Sequence, residues 1–271
     1  MNESDLLVVL GASFSDHTGI SPYKPTIQVD DTPFALGRFH AVEVPVLANV
    51  GVAVRAVLDG LPARVACEDR AAEVEARWEI CRAEKARRIA DDDGRGVGSA
   101  AVFAAMSRLV PADAVISVDV GNNTYSFGRY FEATGQSILM SGYLGSIGFG
   151  YPGAMGAWAA APERPIVAVT GDGGFGQYMG ELTTAVAHGM PIVHVLLNNG
   201  ELGKISKEQR GAELDVWQTS LHNPDFSEYA RICGALGIRV ERPGQLDEAL
   251  ARAFAHEGPS LVEVVADAAL V

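Results

Sequence analysis

The run IVAVTGDGGFGQYMGELTTAVAHGMPIVHVLLNN, residues 166–199, decides how the rest of the chain is read. Ile166 to Thr170 is a short apolar run rich in β-branched residues, which reads as a buried strand ending at Gly171. Met179, Leu182 and Val186 follow at helical spacing; His188-Gly189 closes that helix and Pro191 blocks its continuation. A second buried strand, Ile192 to Leu197, delivers Asn198-Asn199 at its C-terminal end. Strand, helix and strand of these lengths make a parallel crossover unit, so both loops belong to the same edge of one sheet.

That edge carries chemistry. Glycines in Gly171-Asp172-Gly173-Gly174 let the backbone approach a ligand closely, and free N–H groups at a helix start suit a phosphate. Asp172 offers a carboxylate oxygen and Asn199 an amide oxygen. With one backbone carbonyl they leave octahedral positions open, which is how magnesium is held when substrate phosphates complete its shell. A Gly-Asp-Gly turn alone is also a common tight turn. The asparagine pair ending the next strand separates the two readings.

Outward from this unit the alternation continues: helix Ser99 to Leu109, strand Ala114 to Val118, and a glycine-rich turn into helix Pro152 to Ala160. Asp225 and Glu228 are spaced as a capping box ahead of helix Ser227 to Leu236. Strand Ile238 to Val240, helix Leu246 to His256 and strand Leu261 to Val265 complete the rhythm of an α/β fold with a doubly wound parallel sheet. The first 60 residues show buried-strand runs at Leu6 to Leu10 and Thr26 to Asp30 and a helix over Gly51 to Leu61, too few elements to cover a sheet. They read as half a domain. Glu68 to Asp93 is rich in charged helix formers and reads as a helical linker ended by Gly94-Arg95-Gly96.

Composition bounds the partners. At 271 residues, 48% hydrophobic, with 30 glycines and a formal charge of -13, the chain reads as a globular protein of small-molecule chemistry. Nucleic-acid partners require a basic surface for counterion release and are not expected. Cys67, Cys81 and Cys233 show neither disulfide nor zinc spacing, which suits a cytoplasmic location, and no run approaches the length of a membrane span. His188 and His194 lack metal-ligand spacing and read as structural. His256-Glu257 closes a terminal helix and reads as a solvated end.

The spacing of Gly171-Asp172-Gly173 to Asn198-Asn199 resembles the thiamine diphosphate motif, and the likeness spreads beyond it. Ser141 to Ala157, SGYLGSIGFGYPGAMGA, resembles the cofactor-facing turn and helix of the acetolactate synthase and pyruvate oxidase family; Asp119 to Asn123 resembles that family's turn after a strand. The resemblance implies a thiamine diphosphate-binding, diphosphate-type domain over residues 97–271, a helical linker over 67–96, and the C-terminal half of the family's middle α/β domain over 1–66. It implies cofactor contacts from Gly121, Asn122, Asn123, Gly145, Ser146, Ile147, Gly171, Asp172, Gly173, Gly174, Asn199, Glu201, Leu202 and Gly203, with Ile147 propping the cofactor in a bent shape. Magnesium would be held by Asp172, Asn199 and the backbone carbonyl of Glu201. The middle-domain half often helps to bind FAD, but Ser13 and His17 stand where acetolactate synthases have flavin-holding arginines. Asp30 ends a strand where it could meet a ribose.

Lys207-Glu208-Gln209 and Leu221 to Phe226 resemble pyruvate oxidases and quinone-linked pyruvate dehydrogenases; Trp217 stands too far along for the tryptophan of acetolactate synthases. Lys204 stands where an aromatic or methionine is commoner. The implied activity is decarboxylation of a 2-oxo acid such as pyruvate, with an acetolactate synthase-like carboligase or a noncatalytic cofactor-binding module as the alternatives. The glutamate that activates the cofactor belongs to a pyrimidine-binding domain, in the same longer chain or a separate subunit, so the chain alone is expected to be inert and to assemble as a homo-oligomer.

Overall fold

The computed structural model describes residues 3–12, 18–62, 69–91 and 94–266. The chain divides into two compact units, residues 1–72 and 73–271.

In the first unit β1 (Leu7–Leu10), β2 (Thr26–Asp30) and β3 (Val44–Leu47) form a three-stranded parallel sheet in the order β1-β2-β3, followed by α1 (Val50–Gly60). β3 is an addition to the sequence reading: its proline and its largely exposed residues hide it from a search for buried runs. The Gln28 amide ties β2 to the following turn, donating to the Ala35 carbonyl at 3.1 Å and accepting from the Gly37 N–H at 2.9 Å. Asn49 caps α1 by accepting from the Val52 N–H at 3.3 Å. Val9, Thr26, Gln28 and Val29 are this unit's buried residues among those described, while Val8, Leu10, Leu47 and Val57 remain exposed.

α2 (Ala71–Ala90), which lies in the second unit from Glu73 onward, is an exposed helix laced by Arg77–Glu73, Arg87–Glu84 and Arg88–Glu84 ion pairs one turn apart. α3 (Ser99–Leu109) is buried over its first eight residues, which explains its nearly uninterrupted alanine-rich sequence. Then come β4 (Val115–Val118), α4 (Asn122–Tyr130), β5 (Ser137–Met140), α5 (Gly150–Ala160), β6 (Ile166–Gly171), α6 (Asp172–Tyr178), α7 (Glu181–Ala187) and β7 (Ile192–Asn198). α8 (Gly203–Gly211), α9 (Phe226–Ile232), β8 (Leu236–Val240), α10 (Leu246–Phe254) and β9 (Ser260–Val265) complete it. All six strands are parallel, in the order β5-β4-β6-β7-β9-β8.

The central strands send alternate side chains to two faces. Ile116, Val118, Val167, Val169, Val193 and Val195 pack with α3, α4 and α10; Val115, Ile166, Ala168, Ile192 and Leu196 pack with α5, α7 and α9. Helices therefore cover both sides, and the doubly wound parallel sheet expected from the sequence is present. α5 lies directly on the sheet because Gly150 and Gly153 face it: a Cβ at Gly153 would stand 2.5 Å from Ser117 Oγ.

Several boundaries differ from the sequence reading. The helix expected between Gly174 and His188 is two, α6 and α7, separated at Met179-Gly180. The helix expected over Ser227 to Leu236 stops at Ile232, because Gly234 adopts φ +90° and releases Leu236 into β8. Asp225 caps α9 by accepting from the Glu228 N–H at 2.8 Å, but the Glu228 carboxylate turns to Arg231 at 2.7 Å, so the reciprocal half of a capping box is replaced by an ion pair. α4 and β5 occupy a stretch read only as turns, since β5 is an exposed edge strand and α4 is rich in polar residues.

Candidate functional site

From β4 the chain steps outward to β5 and then returns to the opposite side of β4 as β6. The two directions diverge between β4 and β6, and the crevice at the C-terminal ends of such strands is where open α/β sheets bind ligands. The loops after β4, β6 and β7 meet there around a cavity of about 400 Å³. Three helices begin at its wall: α4 after Gly121, α6 after Gly171 and α8 after Leu202, none capped by a side chain. At these starts Thr124 donates to the Gly121 carbonyl at 3.1 Å, Ile205 to the Leu202 carbonyl at 2.9 Å and Gly173 to Asp172 Oδ1 at 2.9 Å; the N–H groups ahead of the helical ladder are left for other acceptors, and the starts carry the positive ends of the helix dipoles. An anion is the natural occupant.

Every residue the sequence singled out for the cofactor lines this cavity except Ser146, which lies between two that do and donates its N–H to Ser141 Oγ at 3.0 Å. Glycine is required at several of these places. Gly121 adopts φ +140°, and a Cβ there would stand 2.9 Å from Asn123 Oδ1; a Cβ at Gly174 would stand 2.1 Å from Asp119 Oδ2. Ile147 lies at the wall 39% exposed, so it is not an ordinary core isoleucine.

Asp172 is 3% exposed at the start of α6. Burial pushes its carboxyl up from the ordinary aspartate range, opposed by hydrogen bonds from the Gly200 N–H at 2.7 Å, Asn223 Nδ2 at 2.7 Å and the Gly173 N–H at 2.9 Å. No cationic side chain is among those donors. A bound divalent cation would offset the cost of the buried charge.

Asn199 Oδ1 accepts from the Glu201 N–H at 3.1 Å and keeps a second lone pair. The segment 219–221 clasps this loop: Leu202 donates to the Thr219 carbonyl at 2.8 Å and Leu221 to the Gly200 carbonyl at 2.7 Å. Glu201 is the non-hydrogen-bonded member of that antiparallel bridge, so its own carbonyl points away from the clasp. Its side chain pairs with Arg210 at 3.3 Å. Three oxygens of the kind expected, from Asp172, Asn199 and Glu201, thus belong to residues of one wall. Among the described residues no cluster of three histidine, cysteine, aspartate or glutamate side chains could hold a metal, so a cation here needs the amide, carbonyl and ligand oxygens as well.

Asp119, fully buried behind the β4 loop, has its carboxyl raised by burial, opposed by N–H groups that include Val120 at 2.7 Å and Gly148 at 2.8 Å. Among the described residues its Oδ2 has no hydrogen-bond partner, and it faces the missing Cβ of Gly174. The cavity also gains residues that sequence reasoning missed: Ser99, Ser126 and Gln177 line it, and Asn223 supports it from behind. Asn223 falls in the run Leu221 to Phe226, where the Asn223-Pro224 turn is the signal the sequence offers.

Other candidates stand apart. His194 is buried in the core with Nε2 2.7 Å from Thr170 Oγ1, and burial lowers its pKa to about 3. His256 and Glu257 are exposed at the opposite, N-terminal edge of the sheet, just before β9. Asp30 accepts from the Thr32 N–H at 2.8 Å and acts as a turn residue. Ser13, His17 and Cys67 lie outside the described residues, and among the described residues Cys81 and Cys233 form no disulfide. No helix among the described residues is long and apolar enough to cross a membrane.

Residues 119–264 match the family described as thiamine pyrophosphate enzyme, C-terminal TPP binding domain. A Bacillus subtilis protein, YdaP, provisionally described as thiamine pyrophosphate-containing, is 33% identical across 98% of this chain and 46% of its own length. The acetolactate synthase large subunit of Haemophilus influenzae is 30% identical, and the acetolactate synthase isozyme 3 large subunit of Escherichia coli 28%, each across 94% of this chain and 46% of its own length. The chain spans about half the length of these relatives.

Proposed function

Because the chain belongs to the thiamine pyrophosphate enzyme family through its C-terminal TPP binding domain, we propose that it holds the diphosphate and magnesium of thiamine diphosphate in an enzyme that decarboxylates a 2-oxo acid such as pyruvate. The observation that carries this reading is the meeting of three uncapped helix starts and the buried Asp172 carboxylate at one cavity. The N–H groups at the starts of α4, α6 and α8 bind the diphosphate. Asp172, Asn199 and the Glu201 carbonyl hold the cation. Gly145, Ile147 and Leu202 shape the wall toward the rest of the cofactor. Bound thiamine diphosphate supplies the carbon nucleophile and the electron sink for loss of carbon dioxide.

The carboxylates lining the cavity are Asp172 and Glu201, the first directed to the cation and the second to Arg210. Neither is available to activate the cofactor at its pyrimidine ring. That glutamate is assigned to a pyrimidine-binding domain outside these residues, and the whole enzyme to a homo-oligomer.

Two fates of the decarboxylated intermediate are carried. The pyruvate oxidase-like fate rests on Lys207-Glu208-Gln209 and Leu221 to Phe226. In the fold, however, Glu208 pairs with Lys204 at 2.7 Å and Gln209 holds the Trp217 backbone through two 3.2 Å hydrogen bonds, so these residues serve the scaffold. The carboligase fate is supported by the acetolactate synthase relatives. Product analysis from pyruvate with the complete enzyme decides between them: acetate or acetyl phosphate marks the first and acetolactate the second. Absence of carbon dioxide release from any 2-oxo acid would sink both.

A further inference from the structure

Asp172 uses its two oxygens unequally. Oδ2 accepts from two donors, the Gly200 N–H and Asn223 Nδ2, both at 2.7 Å, whereas Oδ1 accepts from the adjacent Gly173 N–H at 2.9 Å. Asn223 Nδ2 directs a second hydrogen bond to Asn198 Oδ1 at 2.9 Å, and Asn198 Nδ2 donates to Glu263 Oε1 at 2.7 Å. Glu263 is fully buried, matched by Arg239 Nη1 at 2.9 Å and the Ser227 N–H at 3.0 Å. A carboxylate at each end obliges both amides to donate toward it, so neither amide can turn over without loss. Asn223 thereby joins the loop after β6 to the end of β7, the two edges from which the cation ligands come.

We propose that Asn223 is a positioning residue that saturates Asp172 Oδ2, presents Asp172 to the cation through Oδ1 alone, and so favours Mg2+ or Mn2+ over Ca2+. The inference rests on the reading of Asp172 as a metal ligand. A carboxylate whose second oxygen is held by two N–H donors cannot chelate. Monodentate oxygen at a rigid octahedral site suits the smaller cations, whereas Ca2+ takes more ligands and accepts both oxygens of one carboxylate. Removing the Asn223 amide leaves the Gly200 N–H as the remaining donor to Oδ2 and opens one of its lone pairs to the cation, a change that costs Mg2+ its geometry and costs Ca2+ less.

The test is calorimetric titration of the chain with thiamine diphosphate in Mg2+ and, separately, in Ca2+, for wild type, Asn223→Ala and Asn223→Ser. Wild type is expected to prefer Mg2+. Asn223→Ala is expected to weaken Mg2+-dependent binding roughly 10- to 100-fold, the usual cost of losing a residue that orients a metal ligand. Its binding with Ca2+ falls less, so the Mg2+ to Ca2+ preference declines, and Asn223→Ser, which keeps one donor, lies between. Thermal melting without cation should show a loss for Asn223→Ala, which takes a donor from both Asp172 Oδ2 and Asn198 Oδ1, so the deciding readout is the ratio of Mg2+ to Ca2+ affinities, which a general loss of stability does not move. Equal losses with both cations, or unchanged affinity, would overturn the positioning role while leaving the metal site standing. Cation-independent binding by wild type, or none, would overturn the reading of Asp172 and this inference with it.

Discussion

At the scale of single residues the site depends on what is missing as much as on what is present. Gly174 is the sharpest case: a Cβ there would meet the unpartnered Oδ2 of a buried carboxylate fixed by two backbone donors. Gly174→Ala is expected to cost about 1–3 kcal/mol of stability, as overpacking does, and to weaken cofactor binding. Gly176→Ala in the same helix meets nothing within 4 Å and is expected to be neutral or slightly stabilising. Denaturant unfolding of the two variants checks the contrast, and equal losses would contradict it. Asp172, Asn199 and Gly174 were legible in the sequence because a recurrent spacing points to them. Asp119 Oδ2 and Asn223 were not, because their significance lies in which atoms they face across the fold.

The elements follow local rules with a few instructive departures. Buried strands β4, β6, β7 and β9 were readable as apolar runs, whereas β3 and β5, at sheet edges, lack that signature. The α6–α7 break was hidden because Met179 and Leu182 keep apolar spacing across Gly180. β7 also carries His194 into the core, where it must stay neutral. Its pKa falls from 6.5 to about 3 on folding, so its contribution to stability is complete above pH 6.5 and is lost as pH falls toward 3. The corresponding slope is about 1.4 kcal/mol per pH unit. His194→Gln should flatten the acid side of the stability profile by that amount in denaturant titrations; parallel profiles would show that His194 protonates freely in the folded state.

For the whole molecule, the sheet order places the loops after β4, β6 and β7 at one switch point, and this follows from connectivity more than from any one motif. The doubly wound class was legible from strand and helix alternation; the strand order was not, because pairing between distant strands leaves no local trace. For a chain of net charge -13, the proposed binding of an anionic group here would draw on helix starts, glycine N–H groups and a cation for local positive potential. Lys204, also at the wall, is held by Glu208 and over the Tyr125 ring at 5.0 Å.

The central claim is that Asp172 anchors thiamine diphosphate through a divalent cation, and titration of the cofactor with and without a chelator tests it most directly. Wild type should bind thiamine diphosphate only when Mg2+ is present, and Asp172→Ala should lose that dependence together with most of the affinity. Equal affinity in the presence of chelator, or undiminished Mg2+-dependent binding by Asp172→Ala, would contradict the account.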